Sequence, residues 1–282
     1  MRTIPSLARA GPPIPSLARA AMARAACAAH RPRGIEGGMC GRFALTTPSQ
    51  ATAEHFSAVP DALHRPSALP RWNICPTQGV DAVVLDDGGA RRITTLRWGF
   101  IPRWYKRPDG GPLLINARSE TIAEKPAFRD ACRARRCLIP ATGFYEWQPP
   151  ELSGGRGKVP HWIRPEDGSL FAFAAVWELW RAPNGTEITA CAMVTAKAGP
   201  SMARLHHREP VRIAPEDQGL WLGQQGRGAA TLMHAARDGY FAAHPVSPRI
   251  NGAGPDDVHL IDKWHPEDGP PPAPDGPQGR LL

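Results

Sequence analysis

The chain has 282 residues, of which 42% are hydrophobic and 21% are charged, and its formal net charge is +8. This composition is typical of a soluble globular protein, and the length suits one large domain or two small ones. No apolar run approaches the roughly 18 residues that a membrane-spanning helix needs, so the sequence predicts no membrane association.

The positive charge is unevenly distributed along the chain. Residues 1 to 38 contain six Arg and a single acid, Glu36, whereas the remaining residues include 28 basic and 25 acidic side chains. The body is only mildly basic, so charge alone is a weak argument for a nucleic-acid partner. The six cysteines show no C-x-x-C pair and no zinc-ligand spacing. We therefore expect free thiols in a reducing cytoplasm, no metal site and no cofactor.

Residues 1 to 38 have the character of a leader. The segment repeats IPSLARA and contains prolines at positions 12, 13 and 15, which break any amphipathic helix, and it has no continuous apolar stretch of a signal peptide. Its end, Glu-Gly-Gly, corresponds to purine-rich codons of the kind that a bacterial ribosome-binding site provides just before a start codon. We predict that residues 1 to 38 are a misassigned start or a disordered leader, and that the protein begins at Met39.

From residue 39 to residue 262, short apolar runs alternate with Gly, Pro and Asp, which predicts one folded domain. Strands are predicted at 81–87, 91–100, 169–180 and 186–196. Helices are predicted at 47–58, with Thr47 or Ser49 as N-cap, at 216–223, and after Pro126. Strands outnumber helices without a regular βαβ alternation, so the predicted class is α+β with mainly antiparallel pairing. Residues 263–282 are Pro/Gly-rich and are predicted to be a disordered tail.

Four segments place polar, reactive residues among aromatic or apolar neighbours: MCGRF (39–43), LLINARSET (113–121), RCLIPATGFYEWQ (136–148) and MARLHHREPVRI (202–213). Each has an ordinary alternative interpretation. Asn116 could be a turn residue, and Glu146 could point to solvent from a strand whose aromatic residues point inward. His206 and His207 are adjacent, so on a strand they would face opposite ways and could not both bind one metal.

Together, these segments resemble the SRAP family, the SOS-response-associated peptidase or abasic-site-processing proteins, from Met39 to about Val246. In that family a Cys follows the initiator Met, an Asn lies in an N-A-R motif, a Glu lies between an aromatic residue and Trp, and a His opens an H-x-R-x-P motif. The resemblance implies catalytic roles for Cys40, Asn116, Glu146 and His206. It also implies a single domain with a barrel-like β core and flanking helices. The family usually has Met where this chain has Glu209, which would place a negative charge beside a DNA-binding surface.

The chemistry of an N-terminal cysteine explains why the resemblance points to abasic sites. An abasic site in DNA opens to an aldehyde, and an N-terminal Cys presents an amine and a thiol on adjacent carbons. The α-amine has a pKa of about 8, against about 10 for Lys, so it is neutral and nucleophilic far more often at pH 7. The amine forms a Schiff base and the sulfur closes a thiazolidine ring. We therefore expect the reaction to need Cys40 as the first residue, after removal of residues 1–39.

The other motif residues would supply proton transfer, orientation and DNA contacts. Glu146 between two aromatic residues is expected to be partly desolvated and to shuttle protons, and His206 titrates near neutrality and could serve as acid or base. Asn116 could hold the amine or the ring nitrogen. The predicted DNA contacts are phosphate binding by Arg42, Arg118 and Arg208 and base stacking by Trp98, Phe100 and Trp104. Core packing is an equally good interpretation of each aromatic residue.

Three functions stay open from the sequence. The first is a monomeric sensor in the DNA damage or SOS response that captures abasic sites in single-stranded DNA, located in the cytoplasm and at the bacterial nucleoid when bound. The second is a thiol peptidase that uses Cys40, His206 and Asn116 as a Cys-His-Asn triad, and self-cleavage before Cys40 would connect it with the first. The third is a non-enzymatic single-strand-binding module.

Overall fold

The computed structural model describes residues 40–155 and 157–265 of the chain. Its strands and α-helices are β1 (Arg42–Leu45), α1 (Ser49–His55), β2 (Val59–Pro60), β3 (Arg71–Ile74), β4 (Gly79–Leu85), β5 (Arg91–Trp98), β6 (Asn116–Arg118), α2 (Arg129–Ala134), β7 (Arg136–Ala141), β8 (Gly143–Gln148), β9 (Val159–Pro165), β10 (Phe171–Arg181), β11 (Glu187–Lys197), β12 (Arg208–Pro210), β13 (Arg212–Ile213), α3 (Gln218–Leu222) and β14 (Phe241–Pro245). Short 3-10 helices lie at Met202–Arg204, Pro215–Asp217, Ala229–Leu232, Pro248–Asn251 and Val258–Ile261.

Five strands close into a barrel. The larger sheet runs β12-β11-β10-β7-β4-β5-β2, and β5 pairs a second time, in parallel, with β11 through Arg97 and Trp98. Closure leaves β4, β5, β7, β10 and β11 without a free edge on the ring they form. The chain leaves β5 at Gly99, whose φ of +139° and close neighbours Arg97 and Leu113 leave no room for a side chain. The predicted α+β class with a barrel-like, mainly antiparallel core is confirmed.

A second sheet packs against the barrel and carries the start of the domain. Its strand order is β14-β9-β8-β1-β3, with antiparallel pairing throughout. Aromatic rings from both sheets meet in the core between them, where the ring of Phe43 lies 5.2 Å from Trp98 and 5.8 Å from Phe173. These edge-to-face contacts fix β1 against the barrel and thereby fix the residues that precede it.

The four predicted strands are present as β4, β5, β10 and β11, and the three predicted helices are present in shortened form. The predicted N-cap of the first helix is wrong. Pro48 occupies that position and offers no side-chain hydrogen bond. Instead, the hydroxyl of Thr52, inside the helix, donates to the Pro48 carbonyl at 3.1 Å.

The folded part continues two residues past the predicted boundary at 262. Lys263 forms a bridge with Val246, and the backbone N–H of Trp264 donates to the Pro245 carbonyl at 3.0 Å. The predictions for the leader and for residues 266–282 lie outside the described residues. Within the described ranges, no helix is both long and apolar enough to cross a membrane.

Candidate functional site

Cys40 is in direct contact with Glu146. Its backbone nitrogen donates to Glu146 Oε1 at 2.5 Å, across 106 residues of sequence. The antiparallel pairing of β1 with β8 explains this contact. Arg42 lies opposite Tyr145, so the residues just before Arg42 run alongside the residues just after Tyr145. Cys40 itself is fully buried. The first described residue of the domain is therefore a core residue whose nitrogen faces a carboxyl group.

Glu146 holds its proton at neutral pH. Its side chain is 2% exposed, and burial raises its pKa to about 8, against the opposing effect of the backbone N–H groups of Cys40 and Trp147. The solvent-facing alternative for this residue is excluded by its burial. A protonated carboxyl group next to the nitrogen of Cys40 can donate a proton to a leaving oxygen.

Burial also controls the thiol of Cys40. Desolvation, and then the nearby Glu146, raise the pKa of the Cys40 thiol well above its usual value. The resting group is a thiol, whereas thiol peptidases depend on a nucleophilic cysteine with a lowered pKa. The environment thus favours a reaction in which the amine attacks first and the sulfur second.

Asn116 and His206 each follow a residue that packs in the same buried cluster as Cys40. Asn116 begins β6, which pairs in parallel with β11, and its neighbour Ile115 belongs to that cluster. Leu205, which precedes His206, also belongs to it. The residues that precede Asn116 and His206 therefore share a buried cluster with Cys40, and Cys40 itself contacts Glu146 directly.

His206 lies in a turn after the 3-10 helix at Met202–Arg204. Its Nδ1 lies 3.1 Å from the carbonyl oxygen of Arg208, and desolvation is the main cause that lowers the pKa of its imidazole. The ring is therefore neutral at pH 7 and can act as a base. The expectation that His206 and His207 face opposite ways as on a strand is wrong, because both lie in the turn and their rings are 4.3 Å apart.

The predicted DNA contacts divide into exposed and buried groups. Arg118 and Trp104 are exposed, and Trp104 has 59% of its surface free. Trp98 and Phe100 are 0% and 2% exposed, so neither ring has a face that a base could stack on. Their predicted stacking role is not met, because the barrel core and the loop that follows β5 enclose both rings.

The other two arginines are engaged within the protein. Arg208 is 8% exposed, with a bidentate pair to Glu120 at 2.9 and 2.8 Å and a hydrogen bond to the Thr195 carbonyl at 2.7 Å. Arg42 donates to Asn73 and to backbone carbonyls. The contacts of Arg208 do not support a phosphate-binding role, because both terminal guanidinium nitrogens already have acceptors and the side chain is buried.

Glu209 is a buried residue rather than a surface charge. It is 2% exposed and accepts hydrogen bonds from the backbone N–H of Gly199 at 3.0 Å and of Ala236 at 2.7 Å. Burial raises the pKa of its carboxyl group. Glu209 therefore does not present its side chain at a surface, and its carboxyl group instead ties the turn before His206 to the segment that contains Ala236.

One residue beside the site had no sequence motif to mark it. His161 of β9 lies directly opposite Glu146 of β8, on the same sheet face, and is 8% exposed. Its Nδ1 lies 3.0 Å from the Val159 carbonyl, and burial lowers the pKa of the imidazole. The alternation of side chains along the strand VPHWIRP was the one sequence signal that could have predicted the position of His161 next to Glu146. Within the described ranges, no cluster of three His, Cys, Asp or Glu residues could hold a metal ion.

Comparisons with known proteins define the class to which this architecture belongs. The family model described as SOS response associated peptidase (SRAP) matches residues 39–253, and the chain belongs to the SRAP family. Abasic site processing protein YoqW of Bacillus subtilis is 37% identical over 230 residues, covering 79% of this chain and 99% of the relative. Abasic site processing protein HMCES of Rattus norvegicus is 27% identical over 264 residues, covering 76% and 73% respectively.

A solved structure supports the fold independently of these names. A protein from Bacteroides thetaiotaomicron superposes with a TM-score of 0.69 at 21% identity, covering 80% of this chain and all of that one. At this identity the similarity concerns the fold alone.

Proposed function

We propose that this protein processes abasic sites in single-stranded DNA by forming a covalent thiazolidine link through Cys40. Membership of the SRAP family and the similarity to relatives named abasic site processing proteins support the substrate class. The observation that carries the chemistry is the 2.5 Å contact between the nitrogen of Cys40 and Glu146. This contact supports the proposal, because the nitrogen that would attack the aldehyde lies next to a carboxyl group that can supply a proton.

The reaction needs residues 1–39 to be removed, because in the longer chain the Cys40 nitrogen is an amide. Once it is an amine, it adds to the aldehyde carbon of the opened abasic site and gives a carbinolamine. Glu146 donates a proton to the hydroxyl group, which leaves as water, and the nitrogen returns a proton to the Glu146 carboxylate as the imine forms. The Cys40 sulfur then bonds to the same carbon, and its proton goes to the nitrogen. The net change is a thiazolidine and one water molecule.

The remaining residues have supporting roles in this proposal. His206, whose imidazole pKa is lowered by desolvation, relays the thiol proton to the nitrogen, and Asn116 orients the nitrogen through its amide. Arg118 binds a flanking phosphate, and Trp104 stacks on an unpaired base. Arg118 and Trp104 are suited to these contacts because both are exposed.

A thiol peptidase is less well supported than the crosslinking reaction. Its nucleophile would have to ionise, and both burial and Glu146 oppose ionisation of the Cys40 thiol. A non-enzymatic single-strand-binding module gives no functional explanation for the buried contact between the Cys40 nitrogen and Glu146. These two alternatives predict no denaturant-resistant product with abasic DNA.

The test uses a chain that begins at Cys40 and a single-stranded oligonucleotide with one abasic site. We expect a product that survives denaturing electrophoresis and gains the mass of the oligonucleotide less one water molecule. A tetrahydrofuran analogue, which has no aldehyde, should bind without giving this product. Cys40→Ser keeps the amine but has no thiol, so it should give only a hydrolysable imine. A stable product from Cys40→Ser would contradict the thiazolidine.

A further inference from the structure

The loop at residues 250–256, near the end of the described chain, is hydrogen-bonded to β1, the strand that begins two residues after Cys40. Arg42, two residues after Cys40, donates from one nitrogen to the Ile250 carbonyl at 2.8 Å and to the Gly252 carbonyl at 3.0 Å. The same nitrogen donates to Asn73 Oδ1 at 2.8 Å. A second guanidinium nitrogen of Arg42 contacts the Asn251 carbonyl at 3.3 Å. The Arg42 side chain therefore connects β1 to both β3 and residues 250–252 by hydrogen bonds.

Asn73 of β3 is the second residue that binds this loop. Its side-chain amide nitrogen donates to the Pro255 carbonyl at 2.6 Å and to the Gly252 carbonyl at 3.1 Å, while its oxygen accepts from Arg42. Asn73 is 3% exposed, so these hydrogen bonds are shielded from water and each unmade one would leave a buried polar group without a partner. The indole of Trp147, next to Glu146, also donates to Asn251 Oδ1 at 2.7 Å.

Asp256 closes the network with its carboxylate. β3 is the edge strand of the second sheet, so its one neighbouring strand in that sheet is β1. The β1–β3 register shifts between the pairs Phe43–Ile74 and Leu45–Arg71, so Trp72 and Asn73 lie in an irregular part of β3. Oδ1 of Asp256 accepts from the backbone N–H of Trp72 at 2.5 Å and of Asn73 at 2.9 Å, and thereby holds the loop against this irregular part of the strand.

The loop reaches both partners of the reactive contact through this network. It is bound to β1 through Arg42, two residues from Cys40, and to β8 through Trp147, one residue from Glu146. The chain at Cys40 precedes β1 and has no strand pairing of its own. Its direction is therefore set by the residues that follow, and a displacement of about 1 Å between reacting groups can cost about 100-fold in rate.

We propose that Asp256 is a positioning residue, which holds residues 250–256 against β3 so that Arg42 and Trp147 keep the Cys40 nitrogen directed at Glu146. This inference rests on the proposed function of Cys40. Asp256 acts through Arg42, Asn73 and Trp147 and does not itself touch the DNA aldehyde.

The experiment measures two quantities for chains that begin at Cys40. The first is the affinity for single-stranded DNA with a tetrahydrofuran analogue, and the second is the crosslinking rate at saturating abasic DNA. We expect Asp256→Ala to lower the rate by about 10- to 100-fold and to leave the affinity within about twofold. Asp256→Asn should restore most of the rate, because its side-chain oxygen can accept from the same two N–H groups.

Asp262→Ala is the matched control. Its carboxylate is 65% exposed and pairs only with His259 among the described residues, so this variant removes the same charge without touching the loop. It should crosslink like the unaltered chain. A rate for Asp256→Ala within about twofold of the unaltered chain would overturn the inference, and so would an Asp256→Asn rate as low as that of Asp256→Ala.

Arg42→Lys keeps the experiment decisive if Asp256→Ala does not fold. The lysine retains the charge but has a single nitrogen on a side chain without the planar fork, so it cannot replace the two guanidinium nitrogens that contact four acceptors. The inference predicts a slower rate at saturation with unchanged affinity. Weaker DNA binding with an unchanged rate would instead identify Arg42 as a phosphate contact and overturn the inference. If the unaltered chain does not crosslink, the proposed function fails and the roles of Asp256 and Arg42 in it fail with it.

Discussion

The nitrogen of Cys40 and the carboxyl oxygen of Glu146 lie 2.5 Å apart, although 106 residues separate them in the chain. The contact is made in the core, where both residues are at most 2% exposed. In the 282-residue chain, where the Cys40 nitrogen is an amide, burial raises the pKa of this carboxyl group to about 8, so the group can act as an acid near neutral pH. The pair supplies an attacking atom and a proton donor within one hydrogen bond.

The first prediction concerns the N-terminus. A chain that begins at Cys40 should crosslink abasic DNA, and the 282-residue chain should not, because an amide nitrogen is not nucleophilic. A chain with one glycine placed before Cys40 is the matched control, since it has a free amine but no 1,2-aminothiol. Intact-mass measurement should show Cys40 as the first residue of protein isolated from its native cell. A stable crosslink from the unprocessed chain would falsify the mechanism.

The second prediction concerns proton transfer. Glu146→Gln and His206→Ala should each slow crosslinking, or its reversal, by about 10²- to 10⁴-fold, which is the usual contribution of an acid or base group. Affinity for the tetrahydrofuran analogue should change little. His207→Ala is a suitable control, because its ring packs against His206 at an interplanar angle of 40° without sharing the hydrogen bond to Arg208. If both active-site variants react and release at the unaltered rate, the two residues have structural roles only.

The third prediction concerns stability and pH in the 282-residue chain. Glu146 binds its proton more tightly when folded, with a pKa of about 8 against about 4.3 in the unfolded chain. The folded state therefore holds more protons than the unfolded state between these values, and its stability falls as the pH rises through them. Glu146→Gln removes this loss, so it should gain up to about 4 kcal/mol relative to the unaltered chain at pH 8 and nothing at pH 4.

Denaturant unfolding at pH 4, 6 and 8 measures this difference. Other buried acids with raised pKa, such as Glu209, contribute equally to both proteins and cancel. In a chain that begins at Cys40, the ammonium group next to Glu146 should lower the carboxyl pKa and reduce the difference. A difference between the two proteins that is constant over this pH range would show that Glu146 is not desolvated.

The fourth prediction concerns DNA phosphates. Arg118→Ala should reduce the slope of log K against log salt for single-stranded DNA by about 0.7, the value for one phosphate contact. Arg129→Ala removes the same charge from α2 and should leave the slope unchanged. Equal effects of both substitutions would mean that binding responds to net charge and not to a specific contact at Arg118.

Four of the five barrel strands were predicted from the sequence, because they are long and apolar, whereas the six-residue β7 was not predicted. The runs that became β10 and β11 alternate little and are buried on both faces, and the segments at 81–87 and 91–100 became β4 and β5. The short strands escaped prediction, since β6, β12 and β13 have three, three and two residues and exist only through pairing with the long ones. Local propensity cannot report a strand that its neighbours create.

The candidate site was predictable as residue types but not as contacts. Motifs identified Cys40 and Glu146, and the aromatic neighbours of Glu146 indicated its desolvation. Nothing in the local sequence indicated that Trp98 and Phe100 would be buried, since an aromatic ring can equally pack in a core or stack on a base. The role of Asp256 was also hidden, because its partners Trp72 and Asn73 lie more than 180 residues earlier.

The pairing of β1 with β8 imposes an order of events on protein synthesis. The partner of Cys40 is made 106 residues later, which at about 5–20 residues per second is a delay of roughly 5 to 20 s. During this time Cys40 of the nascent chain is accessible, and afterwards it is enclosed in the core. Under the proposed function, removal of the residues before Cys40 should therefore be fastest on the growing chain, and trimming that starts after folding should leave a larger fraction of inactive molecules.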